Sequence, residues 1–308
     1  MSMKSAKRTR SPRHKAAPIR RTPAKSPALR TLSRRPGQSG ARRAVKSKSP
    51  HIPVPAGHLP DAPDGKESLV SVIIPAMNEE STIAKVVTEA QRVAPRCEVI
   101  VVVNGSSDHT ADIAAASGAR VLVYLEPLGH DVGRSVGAEA AKGDILLFTD
   151  GDIVISAKRL SPFVKAVGHG IDIALNRYSG ALKKRRPHPV VLSKHALNLL
   201  LGRPDLHGCS MTTVPHALSR RALETLGTGM LSCPPAAQAR AVLEGLRVEA
   251  VHLVPVGRMN AIRRRKGGRD PLADIIVSDH LQAAAILLER LGERAGYPDG
   301  RRRREMVR

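Results

Sequence analysis

Two aspartates separated by one glycine, Asp150-Gly151-Asp152, follow an apolar run at residues 145–149. Side chains alternate along an extended chain, so the two carboxylates point to the same side. Mg²⁺ and Mn²⁺ prefer oxygen ligands, and Mg²⁺ binds one or two carboxylates together with substrate phosphates. The triplet alone is also compatible with a polar turn, since Asp and Gly are common turn residues. Its place after a buried strand favours a metal site, with Asp152 as the principal ligand and Asp150 as its partner.

A second polar segment, residues 104–110, closes another apolar run and leads into a predicted helix. Backbone N–H groups at such a strand-to-helix turn can bind a phosphate, and the small hydroxyl residues can bind other parts of a nucleotide. Asn104, Ser106 and Asp108 are therefore candidate ligands. The segment is equally consistent with a tight connection in which Asp108 caps the helix.

Two more segments carry polar residues next to predicted strands. Residues 75–80 end a strand and include Pro75, Met77 and Glu79, and a glutamate near a helix start interacts favourably with the helix dipole. Residues 129–135 combine Gly129 and other small residues with one cation, Arg134, a composition that suits a diphosphate. Neither segment is specific by itself, because an arginine on a helix is usually solvated.

Strands and helices alternate along the central part of the chain. Apolar, β-branched runs predict strands at 69–75, 98–103, 120–124, 144–149 and 172–176, with helices at 81–93, 108–118, 130–142 and 161–167 between them. This alternation predicts an α/β fold of the Rossmann type, with a mostly parallel sheet flanked by helices. Ligands of such sheets bind at the carboxyl ends of the strands, where the segments at 75–80, 104–108 and 150–152 all lie.

The composition predicts an aliphatic core. The 308 residues are enough for one large α/β domain with appendages. Aromatic residues make up 2% of the chain and Trp is absent, which suits a parallel sheet covered by alanine-rich helices. The same composition disfavours a protein that binds long glycans on stacked aromatic side chains.

The net charge of +23 is concentrated at the N-terminus. Residues 1–50 contain 16 Lys and Arg and no Asp or Glu, together with many Ser and Pro residues. This composition predicts a disordered arm, because it buries too little apolar surface to offset the entropy of ordering. Two roles stay open: an arm that binds nucleic acid, another anionic polymer or an acidic membrane surface, and a solvated tail that keeps the protein soluble.

No targeting or membrane-spanning segment is predicted. A secretory signal requires an apolar stretch of about 7–15 residues after its basic start, and residues 1–50 contain none. The apolar runs at 99–103 and 283–288 are far shorter than the roughly 20 residues of a transmembrane helix. Three scattered cysteines indicate a reducing compartment. We therefore expect a cytoplasmic protein, with peripheral association at the inner face of the membrane as a further option.

The order and spacing of the four polar segments resemble family-2 glycosyltransferases with the GT-A fold. Residues 71–80, Ser-Val-Ile-Ile-Pro-Ala-Met-Asn-Glu-Glu, resemble the family's first strand and PxxNEE loop, and residues 99–110 resemble its VDDGSxDxT segment. Residues 129–152 resemble the stretch G…AR(N)xGxxxAxGDxxxFxDxD, which ends here in Asp150-Gly-Asp152. The resemblance covers residues 69 to about 155, and a weaker one at 208–227 concerns the acceptor-side piece G…RRxxLxxxG.

The resemblance implies an enzyme that moves a sugar from a nucleotide-diphospho-sugar to an acceptor. Family members bind a UDP-, GDP- or dTDP-sugar, and the DxD reaches the diphosphate through Mg²⁺ or Mn²⁺. The implied nucleotide-sugar residues are Pro75, Met77, Glu79, Asn104, Ser106, Asp108, Gly129, Arg134 and Asp150, and the implied metal ligands are Asp152 and Asp150. The candidates for the acceptor or its phosphate are His207, Gly208 and Arg258.

The implied organisation has three parts. A basic tail and linker occupy residues 1–66, a GT-A domain occupies 67–295, and a basic tail occupies 296–308. The domain divides into a nucleotide-sugar half at 67–155, an acceptor half at 156–260 and a final helix at 271–291. That helix carries an apolar stripe at helical spacing, which predicts packing or dimerisation: Leu272, Ile275, Ile276, Leu281, Ile286 and Leu287.

Two departures from the family pattern leave the nucleotide and the chemistry open. The aspartates of VDDGS correspond to Val103 and Asn104, so the carboxylate that often binds the base is absent and the nucleotide stays open. The acidic pair that supplies the general base in many inverting members is absent from residues 232–240. A retaining reaction, an anionic acceptor that needs no base, and binding without turnover all fit. In retaining relatives a late histidine is often a metal ligand, and the candidate here is His252 in a predicted strand at 248–256, although core histidines are commoner. Arg258 lies at the predicted end of that strand, where it could hold a phosphate instead.

The alternative function is a non-catalytic nucleotide-sugar-binding protein whose basic arm binds an anionic polymer. A nucleotidyltransferase on a similar fold fits the sequence less well, because no Gly-rich loop with Arg and Lys follows the first strand. The sequence assigns no catalytic residue beyond the metal ligands.

Overall fold

A computed structural model describes residues 68–182, 185–259 and 271–299. The predicted basic arm and linker at 1–66 and the last residues of the chain, 300–308, lie outside the described residues. The binding of an anionic polymer or a membrane surface by the arm therefore stays a prediction.

Seven strands form one sheet in the order β3-β2-β1-β4-β6-β5-β7. They are β1 (Val70–Ala76), β2 (Cys97–Asn104), β3 (Arg120–Tyr124), β4 (Ile145–Phe148), β5 (Ile173–Asn176), β6 (His216–Ser219) and β7 (Val248–His252). β1 pairs in parallel with β2 and β4, β2 with β3, and β5 with β7. β6 runs antiparallel to its neighbours β4 and β5. The predicted α/β fold with a mostly parallel sheet is confirmed.

Nine helices lie within the described residues. They are α1 (Ile83–Gln91), α2 (Thr110–Ala116), α3 (Val132–Ala140), α4 (Ala157–Gly168), α5 (Pro189–Leu200), α6 (Arg220–Leu226), α7 (Pro234–Leu243), α8 (Val256–Met259) and α9 (Pro271–Leu291). The five strands predicted up to residue 176 are all present, with bounds that shift by one residue at most. The helix predicted at 161–167 is longer than expected, because α4 begins at Ala157.

Helices cover both faces of the sheet, which is why the central strands are apolar at successive positions. Ile73 and Ile74 are both buried, yet they belong to hydrophobic clusters on opposite faces. Phe148 and Phe163 are the two phenylalanines of the chain and lie in different clusters. The rest of both clusters is mainly aliphatic, as the composition predicts.

The second half of the sheet differs from the sequence prediction in two places. The sequence predicts no strand at β6, because its four residues, His-Ala-Leu-Ser, do not form an apolar run. The strand predicted at 248–256 ends at His252, and the chain then enters the short helix α8. Arg258 therefore lies on a helix and not at the end of a strand, contrary to the prediction.

The bounds predicted for α9 are correct and the helix packs against α5 and α7, but three of the six residues in its predicted apolar stripe are exposed. Leu272, Ile275 and Leu281 are 41%, 46% and 67% exposed. The buried positions are instead small or polar for the most part: Ala273, His280, Ala283 and Leu287. The alanines allow α9 to pack closely against α5 and α7, an effect that hydrophobic periodicity does not detect. No helix among the described residues is long and apolar enough to cross a membrane.

The close approach of α3 to the sheet generates the first prediction. A Cβ atom at Gly137 would overlap Ile73 Cγ2 and lie 3.3 Å from Val102 Cγ2. Gly137→Ala should therefore lower the free energy of unfolding by about 1–3 kcal/mol, although alanine favours a helix by about 1 kcal/mol. Urea unfolding measures the change. The matched control is Gly229→Ala, where a Cβ meets nothing within 4 Å, and equal stability of the two variants would contradict the prediction.

Candidate functional site

A cleft of about 440 Å³ lies at the carboxyl ends of β1, β2 and β4. Seven of the nine candidate nucleotide-sugar residues line it: Pro75, Met77, Glu79, Asn104, Gly129, Arg134 and Asp150. Asp152, the predicted principal metal ligand, lines it as well. The wall also includes Pro127, His130, Asp131 and Leu272, to which the sequence analysis assigns no role in the site. The structure thus brings all four polar segments of the sequence to one place.

Hydrogen bonds connect the Asp150-Gly151-Asp152 turn to β1 and to the segment that follows it. Gly151 donates its N–H to Pro75 O at 3.1 Å and accepts a hydrogen bond from Thr82 Oγ1 at 2.8 Å. A Cβ at this position would lie 3.0 Å from a side-chain carbon of β1, so the close approach favours glycine. These bonds fix the position of the two aspartates on either side of Gly151.

Ser106 and Asp108 do not line the cleft. Ser106 Oγ accepts from the N–H of Asn78 at 3.0 Å, and Asp108 Oδ2 accepts from the N–H of Glu80 at 3.1 Å. The loop at 77–80 depends on such bonds because Asn78 has a left-handed φ of 57°. In this structure both side chains position the loop that forms one wall of the cleft, and direct contact with a nucleotide stays a prediction.

Asn104 holds a second loop at the cleft. Its Nδ2 donates to Gly129 O at 3.1 Å, and its Oδ1 accepts from the N–H of Leu128 at 2.6 Å. Both ends of the amide are therefore engaged by the loop between β3 and α3. Val103, the neighbouring departure from the resembled motif, is buried in β2. Neither position offers a carboxylate to a nucleotide base.

Arg134 is a buried charge at the wall of the cleft, only 5% exposed. Its Nη1 forms an ion pair with Asp131 Oδ1, and its Nη2 donates to Asp150 Oδ1 at 3.1 Å. The solvated alternative for this arginine is therefore wrong. Asp131 has a left-handed φ of 63°, which aspartate tolerates better than most residues. The sequence offers no signal for Asp131, because a lone aspartate before a helix usually serves as a cap.

A further carboxylate approaches the cleft from α9. Asp279 and the cleft residue His130 are close enough for each to influence the pKa of the other. Burial raises the pKa of Asp279, and the charge of His130 opposes that change. The carbonyl of Asp279 also lies 4.0 Å from Cys233 Sγ, at the start of α7. Burial and the negative charge of Asp279 also raise the pKa of Cys233, so α9 brings a carboxylate near the segment 232–240, in which the sequence has none.

The acceptor candidates lie outside the lining of the cleft. His207 lines a separate cavity of about 560 Å³, and Gly208 lies beside it in the chain. Arg258 is exposed on α8. His252, the candidate late histidine, packs edge-on against Phe163 of α4 with ring centroids 6.1 Å apart. None of these four candidates lines the cleft that contains Asp150 and Asp152.

Lys194 of α5 is a partly buried cation with no signal in the sequence. Its Nζ donates to Thr213 Oγ1 at 2.7 Å, and it lines a cavity of about 210 Å³ together with Tyr178 and His188. Burial lowers the pKa of Lys194 to about 8, and the charge of Arg134 acts in the same direction. A single lysine on a predicted helix gives no sequence signal, because most such residues are solvated.

His216 of β6 lies in the core beside the site. Its ring stacks on Phe148 of β4 with centroids 5.0 Å apart and an interplanar angle of 12°, and the residue is 1% exposed. Burial lowers the pKa of His216 to about 3, and the positive charge of Arg134 contributes to the change. The ring is therefore neutral at physiological pH.

Comparison with known proteins identifies a family and several relatives. The model of the family described as "Glycosyl transferase family 2" matches residues 71–226, about half of the chain. The chain is 37% identical over 113 residues to glycosyltransferase AglE of Haloferax volcanii, which covers 34% of this chain and 37% of that protein. It is 32% identical over 141 residues to glucosyl-3-phosphoglycerate synthase of Mycobacterium tuberculosis, covering 41% and 42%. The matched part thus spans less than half the length of these relatives.

Solved structures of glucosyl-3-phosphoglycerate synthase from M. tuberculosis are also similar to this chain. The complex with Mn²⁺, UDP-glucose and phosphoglyceric acid has a TM-score of 0.53 and 27% identity, and the match covers 76% of this chain and 82% of that one. The complex with Mg²⁺ and UDP has a TM-score of 0.51 and 25% identity, with coverage of 76% and 81%.

The buried His216 predicts a specific loss of stability in acid. The folded state keeps the ring neutral down to a pKa of about 3, whereas the unfolded chain binds a proton below about pH 6.5. Stability from this source is complete above pH 6.5 and declines as the pH falls towards 3, by about 1.4 kcal/mol per unit. His216→Phe should remove this slope in chemical denaturation between pH 7 and 4. His109→Phe, which replaces an exposed histidine, is the matched control, and an unchanged slope in His216→Phe would contradict the prediction.

The buried ion pair predicts a large cost for Asp131→Asn. The side chains of Asp131 and Arg134 are 3% and 7% exposed, and removal of one partner leaves a buried charge poorly compensated. The free energy of unfolding should fall by about 3–5 kcal/mol. In the control Asp205→Asn, the aspartate side chain is 59% exposed, and the expected loss is about 0–1 kcal/mol. Guanidinium denaturation measures both changes. Equal losses of unfolding free energy in Asp131→Asn and Asp205→Asn would contradict the prediction.

Proposed function

This chain belongs to glycosyl transferase family 2, and we propose that it transfers a sugar from a nucleotide-diphospho-sugar to an acceptor at the cleft of Asp150 and Asp152. One observation carries the proposal: four segments that are distant in the sequence line a single cleft with these two aspartates and Arg134. The similar glucosyl-3-phosphoglycerate synthase has been solved with UDP or UDP-glucose and with Mn²⁺ or Mg²⁺. These complexes support a uridine nucleotide and a divalent cation as ligands here.

The residues of the cleft fit a hard divalent cation. Asp150 and Asp152 supply carboxylate oxygens, the ligand type that Mg²⁺ and Mn²⁺ prefer. Across residues 68–182, 185–259 and 271–299, no three His, Cys, Asp or Glu side chains gather as a complete metal site. A pair of carboxylates suits a cation that takes its other ligands from substrate phosphates and water.

The protein would bind and orient the diphosphate with its own fixed groups. When bound, the cation would neutralise charge that develops on the departing diphosphate. Helix α3 begins at the cleft, just after Gly129, and backbone N–H groups at a helix start favour an anion. Arg134 adds a guanidinium whose Nε has no hydrogen-bond partner among the described residues. These groups, held by the loops of Asn104 and Gly151, favour a ligand with several negative oxygens.

We further propose that the acceptor carries a phosphate or carboxylate group. Lys194 is a partly buried ammonium whose described hydrogen bond goes to a neutral hydroxyl, that of Thr213. The cavity that it lines is also lined by His188, which follows the exposed Arg185 and Arg186 closely in the sequence. Basic residues in and beside the segments that line this cavity favour an anionic ligand. The phosphoglyceric acid in the complexes of the similar synthase supports the same class of acceptor.

The central prediction of this proposal concerns Asp152→Asn. The substitution removes one negative charge from the cation site, so UDP binding in the presence of Mn²⁺ should weaken at least about 100-fold, equivalent to about 2.7 kcal/mol. The melting temperature should stay nearly unchanged, since the side chain is partly exposed. Isothermal titration of the full chain measures the binding, with Asp205→Asn as the matched aspartate control outside the cleft. Unchanged binding in Asp152→Asn would remove this residue from the site.

Catalysis is tested separately from binding. UDP-glucose and Mn²⁺ are incubated with the full chain, with and without 3-phosphoglycerate, and released UDP is measured. Release that Asp152→Asn abolishes supports a transferase. UDP binding without release from any nucleotide-sugar and anionic acceptor would favour the non-catalytic alternative, and failure of the parent chain to bind any nucleotide-sugar would overturn the proposed function.

A further inference from the structure

We propose that Arg134 acts as an internal cation that competes with the metal for Asp150, so that the metal and the diphosphate bind cooperatively. This inference rests on the proposed function, because it takes Asp150 as a metal ligand. It adds a second source of coupling to the phosphate oxygens that the cation would share: Arg134 weakens the binding of the metal alone, and the nucleotide diphosphate removes this competition.

The geometry places a protein cation on a carboxylate that the metal would use. Arg134 Nη2 donates to Asp150 Oδ1 at 3.1 Å, and Nη1 forms an ion pair with Asp131. The side chain of Asp131 is 3% exposed and that of Asp150 is 33% exposed. Asp131 is thus the buried anchor of the guanidinium, and Asp150 is its accessible end. We infer that Asp131 is a positioning residue that holds Arg134 against Asp150.

A metal that approaches Asp150 therefore meets a positive charge that is already in place. The charge of Arg134 acts beyond its two ion pairs, since, together with burial, it helps to lower the pKa of His130, Lys194 and His216. Two cations at one carboxylate repel each other, and the repulsion is weakly screened where the charges are buried. A dication alone should consequently bind poorly.

A diphosphate relieves this repulsion because it brings negative oxygens to both cations. When Asp150 turns to the metal, Arg134 keeps Asp131 but loses the second of its two anionic partners, and another anion restores the compensation that a buried guanidinium requires. Its Nε, which has no hydrogen-bond partner within the described chain, supplies a donor for such an oxygen. The diphosphate would then hold Arg134 through charge-assisted bonds while Asp150 turns to the metal. By thermodynamic linkage, each ligand must raise the affinity of the other by the same factor.

The test compares Mn²⁺ binding with and without UDP, measured on the full chain by electron paramagnetic resonance of free Mn²⁺. In the parent, UDP should increase the affinity for Mn²⁺ by at least about tenfold, within the usual range of coupling between sites. Arg134→Met should tighten the binding of Mn²⁺ alone by several-fold and reduce the coupling to UDP. The two effects have opposite signs, which loss of an ordinary diphosphate ligand would not produce.

Three further variants keep the test decisive. If Arg134→Met does not fold, the double variant Asp131→Asn/Arg134→Met removes both buried charges and replaces it in the test. It should show the same tighter binding of Mn²⁺ alone and the same reduced coupling to UDP. Lys194→Met removes a nearby cation for which no contact with Asp150 is described. The affinity of this variant for Mn²⁺ alone should therefore differ from that of the parent by less than about twofold. Arg240→Met removes an arginine of α7 whose described partner is Glu244, and this variant should behave as the parent.

The outcomes separate this inference from the proposed function. Tighter Mn²⁺ binding in the arginine variants with lost coupling supports the inference. If UDP and Mn²⁺ bind together in the parent but Mn²⁺ alone binds the arginine variants no better, the inference is overturned and the proposed function stands. Equal tightening in Lys194→Met would also overturn it, because the general positive field would then explain the effect. A parent that binds neither ligand would overturn both.

Discussion

The site depends on the parallel pairing of β1 with β2 on one side and with β4 on the other. The registers align Ala76 with Val103 and Ile73 with Phe148, so the loops after all three strands leave the sheet at one edge. Hydrogen bonds then fix the positions of these loops, notably those from Gly151 N–H to Pro75 O of β1 and from Thr82 Oγ1 to Gly151 O. Without this pairing, the aspartates and the loop of Asn104 would have no common location.

The buried Arg134 links the stability of this edge to its chemistry. Burial of a guanidinium is costly and is tolerated only with well-placed anionic partners, which Asp131 and Asp150 provide. The same charge helps to keep His216 neutral in the core. Asp131 in the loop before α3, Arg134 on α3 and the candidate metal ligand Asp150 are therefore electrostatically coupled. A ligand that changes the charge at Asp150 must affect the other two.

Patterns that depend on local sequence predict much of this molecule. Long apolar runs predict the buried strands of the first half, and the order of polar segments after them predicts which residues line the cleft. Contacts that depend on tertiary packing escape prediction. Asp131 and Lys194 look like ordinary surface residues until burial gives them partners. Hydrophobic periodicity does not identify the buried face of α9, because two of its four buried residues are alanines and one is a histidine.

The central claim is that a nucleotide diphosphate and a divalent cation bind together at Asp150 and Asp152. Diffraction from crystals grown with UDP and Mn²⁺, measured at the manganese absorption edge, tests it most directly. The account predicts one anomalous peak at coordination distance from Asp152, with the diphosphate between that peak and Arg134. A manganese peak at other residues, or UDP bound outside the cleft at the ends of β1, β2 and β4, would contradict the account.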